Sequence, residues 1–460
     1  MGSQPVDDAA SRRQFLTMGS AGLIAAGAER GVRGAQVEQE GAAPGGKEYP
    51  RYRPGAGGPV GSATDRGKLV AGLRKAGLPP VPIEMPDVPK LPWIFRDGAK
   101  EFHLIAMPVK REFLPHLMMD VWGFNGTMPG PLIEVNEGDR VRVIVENRLP
   151  EPTSIHWHSL EIPVSQDGVP GLVQDLIPPG EAFVYEFDLH QHGTFFYHAH
   201  VAMQEAMGMV GLFIIHPKMA YEPVCDRDIA LVTQEFQIMP NTTIPDSQGM
   251  DFNFLTFNGR CAPLTTPLVI KLGERVRLRL VNFSTADHHP IHLHGHTWWV
   301  TGTEGGRIPE PGWIPGNNVL VGVAQARDVE FIANNPGDWI MHCHMFHHTM
   351  NHMISMAGPM GRLDPDDPRA RVPGYPQNME GGMSMGMTMG MEMDVPEDDT
   401  RRLAGRESRG MRRDWSHVKG LTTVVRVLPP ELYDKVMNGS DPLDPGSSIF
   451  GPIPTRRKMS

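Results

Sequence analysis

The chain is predicted to be all-β, with two antiparallel β-sandwiches in tandem. Short β-branched and aromatic runs recur between Gly, Pro and Asn turns, whereas apolar residues at helical spacing are scarce. The chain also repeats itself. Pro131-Leu132-Ile133-Glu134-Val135-Asn136-Glu137-Gly138-Asp139-Arg140-Val141-Arg142-Val143 matches Pro267-Leu268-Val269-Ile270-Lys271-Leu272-Gly273-Glu274-Arg275-Val276-Arg277-Leu278, which is one residue shorter. Each copy then continues alike, with a strand ending in Asn147 or Asn282, a His-x-His pair, and an aromatic strand leading to a second pair. A chain of 460 residues has room for two or three such domains.

In chain order, Ser11-Arg12-Arg13-Gln14-Phe15-Leu16-Thr17 precedes a short apolar run and Ala26-Gly27-Ala28. That pattern makes residues 1–35 a twin-arginine export signal, cut near Ala28 or Ala35, and predicts a periplasmic or secreted protein. The run is too short for a permanent span, and no other segment is apolar enough for stable membrane insertion. Residues 36–99 are rich in Pro and Gly and read as a linker or arm, with a short helix around 66–76. The first sandwich is expected over 100–219 and the second over 220–365. A Met-rich flexible segment follows at 366–400, then a polar tail at 401–460 with one helical candidate at Pro430–Met437.

The formal charge of −10 disfavours a nucleic-acid partner and mildly favours small cations. Three cysteines do not make a disulfide scaffold. Cys225 and Cys261 are candidates for a pair in an oxidising compartment, while Cys343 stands in a different chemical setting.

That setting is Met341-His342-Cys343-His344, followed by His348 and Met353. A His₂Cys set with a weak axial Met is the donor set of a blue-copper electron-transfer site, and Cys343, His348 and Met353 supply three of its four members. His342 and His344 flank Cys343 on a predicted strand, so their side chains leave the opposite face and can hold a different metal. Three further pairs are His156-Trp157-His158, His198-Ala199-His200 and His292-Leu293-His294, the last preceded by His289. One His-x-His is usually incidental surface polarity. Four pairs, with His289 and His348, take up half of the 20 histidines. So many buried imidazoles converging without a cation would be unfavourable.

These segments resemble those of the multicopper oxidases, in order and in register, over roughly residues 100–363. The resemblance implies tandem cupredoxin-like Greek-key sandwiches and four copper ions per catalytic unit. Type 1 copper would be held by His289, Cys343, His348 and Met353, and type 2 by His156 and His292. The type 3 pair would take His158, His198, His200, His294, His342 and His344. His289 is chosen over His288 because the family's Pro follows the ligand, and His348 over His347 because the ligand falls five residues after the cysteine. Asp167 matches the family's acid near type 2 copper, although Asp-Gly is also an ordinary turn. Only 89 positions separate His200 from His289, so the chain is similar to two-domain members. These form homotrimers with each cluster between subunits, an ordinary cyclic closure of head-to-tail contacts.

The implied activity is oxidation of a small donor at type 1 copper coupled to reduction of O2 to water. Ala199 stands where the second unit has Cys343, so the first sandwich cannot build a type 1 site, which also argues against a copper nitrite reductase. Thr349 stands where many members place Glu, and His352 replaces the usual Gly before the axial Met. An axial Met, rather than a non-coordinating residue, implies a lower type 1 potential. Met379, Met383, Met385, Met387, Met389, Met391 and Met393 offer soft thioethers that select Cu(I). They make Cu(I) the first expected donor in a copper-tolerance role. Phenols or aromatic amines are the alternative, and Fe(II) or Mn(II) would require carboxylates near His289 or His348. A copper-binding protein without turnover would fit the Met tract but not a complete cluster ligand set.

Overall fold

A computed structural model describes residues 81–201, 203–239, 242–349 and 418–438. A short strand β1 (Ile83–Glu84) precedes the first sandwich. That sandwich comprises β2 (Trp93–Arg96), β3 (Ala99–Leu114), β4 (Leu117–Phe124), β5 (Gly130–Asn136), β6 (Arg140–Asn147), β7 (Ile155–His158), β8 (Ala182–Asp188), β9 (Gly193–Ala199) and β10 (Val210–His216). The second comprises β11 (Arg227–Phe236), β12 (Phe254–Phe257), β13 (Leu268–Lys271), β14 (Arg275–Asn282), β15 (His289–Leu293) and β16 (Trp298–Thr303). It continues with β17 (Gly306–Arg307), β18 (Ile314–Gly316), β19 (Asn318–Val321), β20 (Gln325–Ile332), β21 (Gly337–Cys343) and β22 (Thr422–Leu428), and ends in helix α1 (Pro430–Asn438).

The expected all-β, cupredoxin-like fold is what forms. Four sheets stack as layers. The first sandwich has an outer sheet β2-β3-β6-β8, with β4 on β3, and an inner sheet β5-β10-β9-β7. The second has an inner sheet β1-β11-β14-β20-β16-β17 and an outer sheet β13-β22-β21-β15-β19. One core lies within the first sandwich, around Trp157, Tyr185 and Phe213. Another lies within the second, around Trp298, Leu280 and Cys343. A third apolar layer joins the two inner sheets, with Phe196, Leu212 and Ile214 against Val232, Val281 and Ala326. Polar groups cross that joint too: Thr194 donates to Asp328 (2.7 Å), and Arg279, held within its own sheet by Asp228 (2.7 Å), donates to Thr194 (2.6 Å).

The sequence repeat is a structural repeat. β3 and β6 run parallel, as do β11 and β14, and β5 with β10 is matched by β13 with β22. Gly138 and Gly273 take positive φ of 91° and 94° at the equivalent tight turns, a conformation only glycine adopts freely. Asn147 and Asn282 are both buried and make the same bonds. Each amide donates to two carbonyls, of Glu151 and Ile177 or of Asp287 and Val321, and each oxygen accepts the backbone N–H two residues on. Satisfied in this way, a buried amide fixes where the strand ends.

Two expectations need correction, and the open question of Cys225 and Cys261 is answered. The second sandwich does not end at 365: Thr422–Leu428, assigned to the tail, is a central strand between β13 and β21. The repeat explains it, since β10 occupies that place in the first unit and a sheet missing it would leave two rows of unpaired backbone groups. The linker is likewise not free of structure, because Ile83–Glu84 pairs with β11 and Trp93–Arg96 with β3. Cys225 and Cys261 are both buried free thiols, one beside Asp228 and Arg277 and the other in an apolar cluster with Phe113 and Phe254. The helix at Pro430–Asn438 forms as expected. The export signal, the helix around 66–76, Met353 and the Met tract lie outside the described residues.

Candidate metal centre

β15 and β21 are neighbours, with Ile291 opposite Cys343 and His292 opposite His342. Alternation along these strands sends the donors to two faces. On the core-facing side, His289, Cys343 and His348 are all buried, with their donor atoms within 4.8 Å of one another. The sulfur lies 3.7 Å from His289 Nδ1 and 3.4 Å from His348 Nδ1. Metal bonds of about 2.3 Å to sulfur and about 2.0 Å to nitrogen would place such atoms about 3.6 Å apart. The three donors therefore fit one small soft cation.

The outer nitrogens are also engaged. His289 Nε2 lies 2.6 Å from Ser284 Oγ, to which it can donate, leaving Nδ1 as the ligand atom. His348 Nε2 lies 3.3 Å from the partly exposed Asp287 carboxylate, without the alignment of a hydrogen bond. Burial, with His348 nearby, pushes His289 down to about 3, and burial pushes the Cys343 thiol up to about 12. Without metal, His289 and Cys343 are thus both neutral, and a bound cation would reverse the preference of the cysteine by drawing out the thiolate.

On the opposite face, His292, His294, His342 and His344 form one group. Their ring centroids are 4.8–5.7 Å apart for the His292–His294, His292–His342, His292–His344 and His294–His342 pairs. His292 Nδ1 faces the Asn317 carbonyl (2.7 Å) and His342 Nδ1 the Cys343 carbonyl (2.8 Å), so both present Nε2.

The first sandwich has the mirror group on β7 and β9. His156, His158 and His198 have donor atoms within 4.8 Å, and His200 stands 5.5 Å from His156, centroid to centroid. His156 Nδ1 faces the Asp167 carbonyl at 2.8 Å, with the Asp167 carboxylate at 3.4 Å. Burial, then His198, lowers His158 to about 4, keeping it neutral and able to ligate. Ala199 points into the first core, leaving no sulfur there.

The structure therefore brings the described sequence-predicted ligands, all but Met353, into three groups, with Asp167 beside the first-sandwich histidines. It does not bring the two four-histidine groups together: among the described residues, no ring contact links one group to the other. They sit on different layers, the first-sandwich inner sheet and the second-sandwich outer sheet. Two sheet spacings of about 10 Å each lie between those layers. Sequence reasoning missed Asp287 and Glu205, the latter 2.9 Å from His198 Nδ1.

Residues 108–220 and 238–357 each match a multicopper oxidase domain family. The chain is 30% identical over 255 residues to a copper resistance protein A homolog of Pseudomonas syringae pv. tomato, covering 45% of this chain and 43% of that protein. It is 29% identical to laccase-2 of Cryptococcus neoformans, covering 46% and 43%. The chain thus spans less than half the length of these curated relatives. The blue copper oxidase structure from Nitrosomonas europaea is 33% identical, with a TM-score of 0.51, covering 55% of this chain and 81% of that one. With both sandwiches matched and four-fifths of a solved relative covered, the chain belongs to the multicopper oxidases, a family of oxidoreductases.

Proposed function

We propose that this protein oxidises a small cationic donor, foremost Cu(I), one electron at a time and passes the electrons to O2, yielding water. The observation that carries the reading is the His289–Cys343–His348 site with His342 and His344 on either side of the cysteine. When bound, copper supplies a one-electron couple at that site and an O2-reducing trinuclear cluster at the histidines. His289, Cys343, His348 and Met353 would hold type 1 copper, and His156 and His292 type 2. His158, His198, His200, His294, His342 and His344 would hold the type 3 pair, four coppers in all. Cys343 is the bridge, because its own backbone leads to both flanking ligands over the shortest covalent path available. Asp167, touching His156, would handle protons there.

Two features favour a cation at the entry point. Asp287 places a carboxylate between solvent and His348. The Met tract lies in sequence between β21 and β22, whose ends meet where Leu421 N–H donates to the His348 carbonyl (2.8 Å). Both ends of the methionine-bearing stretch are thus anchored at the same site, which raises the effective concentration of any Cu(I) it binds. The hard oxygen of Asp287 also supports Fe(II) or Mn(II) as a second reading.

Assembly is part of the proposal. Half-clusters on separate layers, about 20 Å apart by sheet spacing, would be completed between subunits of a homotrimer. Both half-sites carry exposed apolar rims: Leu172 (79% exposed) and Val164 on the loop bearing Asp167, and Leu320 (57% exposed) beside His292's strand. The twin-arginine signal would deliver the protein to the periplasm or beyond, and no helix among the described residues is long and apolar enough to cross a membrane.

The test is oxygen uptake by copper-loaded protein with Cu(I), Fe(II) and a simple phenol in parallel, against Cys343→Ser. Cu(I) should be fastest, and the variant should lose blue absorption and turnover. Deleting residues 379–393 should slow Cu(I) oxidation while sparing the phenol. Phenol fastest would make the protein laccase-like, and no uptake at full copper loading would leave a metal-binding protein.

A further inference from the structure

The repeat register shows what became of the type 1 position in the first sandwich. Three backbone bonds recur. Ala199 N–H to Met209 O (3.1 Å) corresponds to Cys343 N–H to Leu421 O (3.0 Å). Gln204 N–H to Val201 O corresponds to His348 N–H to Met345 O, and His200 N–H to Ser154 O to His344 N–H to Pro290 O. Gln204 therefore occupies the place of His348. By the same register, Thr153 stands for His289, Glu151 for Asp287 and Glu205 for Thr349.

The three polar substitutes bond to one another. Thr153 Oγ donates to Gln204 Oε1 (2.7 Å), and Gln204 Nε2 donates to the Glu151 carboxylate (2.8 Å) and the Pro152 carbonyl (2.9 Å). Thr153 and Gln204 are fully buried, so this is a fixed lock rather than a surface contact. The residue after the lock is Glu205, whose Oε1 lies 2.9 Å from His198 Nδ1. The same Nδ1 also faces the Ala199 carbonyl at 2.9 Å, while His198 Nε2 turns toward His158 Nδ1 at 3.4 Å. His342, the counterpart of His198, has the Cys343 carbonyl and no acid at the repeat position, because Thr349 is there.

We propose that Glu205 is a positioning residue of the first-sandwich histidine group. Its carboxylate stands 2.9 Å from His198 Nδ1, alongside the Ala199 carbonyl that accepts the Nδ1 hydrogen, and braces the ring with Nε2 toward the metal. It is itself held in place by the Thr153–Gln204–Glu151 lock that replaces a type 1 ligand set. The sandwich that lost the cysteine site thus keeps its frame as a brace for the shared cluster, and supplies there the acid that Thr349 fails to supply from the other repeat. Carboxylates behind ligating histidines fix tautomer and orientation and raise ligand basicity, with losses on removal of about 10- to 100-fold in metal affinity. A solvated surface ion pair would contribute almost nothing, so the two roles differ measurably.

This inference rests on the copper-cluster reading above, and one readout is chosen to be independent of it. In the full-length metal-free protein, ring-nitrogen NMR should report His198 as the Nδ1–H tautomer throughout, held by the Ala199 carbonyl, with its Nδ1 shift displaced in Glu205→Ala and close to wild type in Glu205→Gln. In copper-loaded protein, Glu205→Ala should surrender cluster copper to a chelator about 10- to 100-fold more readily. It should also lose the near-ultraviolet absorption of the coupled pair while keeping the blue absorption of the Cys343 site. Glu205→Gln, which retains an acceptor oxygen, should restore most of the affinity. Wild-type retention of cluster copper by Glu205→Ala, an unchanged His198 Nδ1 shift in that variant, or failure of Glu205→Gln to rescue would each overturn the proposal. A wild-type protein holding only the blue copper, yet showing the Glu205-dependent shift, would fail the cluster reading instead.

Discussion

At the scale of single residues, Asp287 beside His348 is what the proposed entry of a cationic donor turns on. A carboxylate 3.3 Å from the outer nitrogen of a buried ligand attracts cations and does little for a neutral phenol. Replacing Asp287 by Asn should raise KM for Cu(I) by about tenfold, the order of one lost charge contact of about 1.4 kcal/mol. The KM for the phenol should barely move, and blue absorption should persist. Equal losses for both donors would show that Asp287 serves the copper site rather than the donor. The depressed histidines make a second prediction. His289 and His158 titrate near 3 and 4 when folded, against 6.5 for an unperturbed side chain. The unfolded chain therefore binds more protons throughout that window, so metal-free stability should fall as pH drops below about 6.5 and finish falling near 3. A urea midpoint unchanged between neutral pH and about 5 would contradict this.

At the scale of elements, β22 decides whether the Cys343 strand has a partner. It pairs with β13 on one side and β21 on the other, and its leading residue Leu421 bonds both Cys343 and His348. A chain ending at residue 417 should fail to acquire blue absorption, while one lacking only 379–393 should acquire it normally. Copper titration followed by visible absorption separates the two. The strand was legible as Thr422-Thr423-Val424-Val425-Arg426-Val427-Leu428, a β-branched run. The long polar stretch before it outweighed the rule that a repeat needs every strand of its copy. The opposite case is α1, where local pattern alone sufficed.

For the whole molecule, the separation of the two histidine groups carries the strongest consequence. In the proposed homotrimer, a head-to-tail ring would pair the first sandwich of one subunit with the second of its neighbour. Co-assembling His198→Ala with His342→Ala, each inactive alone, should then regenerate intact clusters at about a quarter of the interfaces and recover oxygen uptake accordingly. No recovery in verified mixed trimers would place both halves within one chain. Leu320→Arg should yield a smaller species by sedimentation that keeps its blue colour and loses O2 reduction.

The sequence by itself determined the fold class, the doubled unit, the histidine and cysteine segments that the strands bring together, and the absence of a cysteine in the first sandwich at the place of Cys343. Each of these is written in short-range order, as strand alternation or as fixed spacing within one segment such as Cys343 to His348, so neighbouring residues suffice to read it. The tertiary structure alone decided that Asp287 lies near His348, that Glu205 lies near His198 beside the bonded Thr153, Gln204 and Glu151, and that the two histidine groups lie on separate layers. Those facts depend on which sheets stack and which loops meet across them. The layer separation in particular follows from burial of Phe196, Leu212 and Val281 at the joint between sandwiches, far apart in the chain and carrying no local signature.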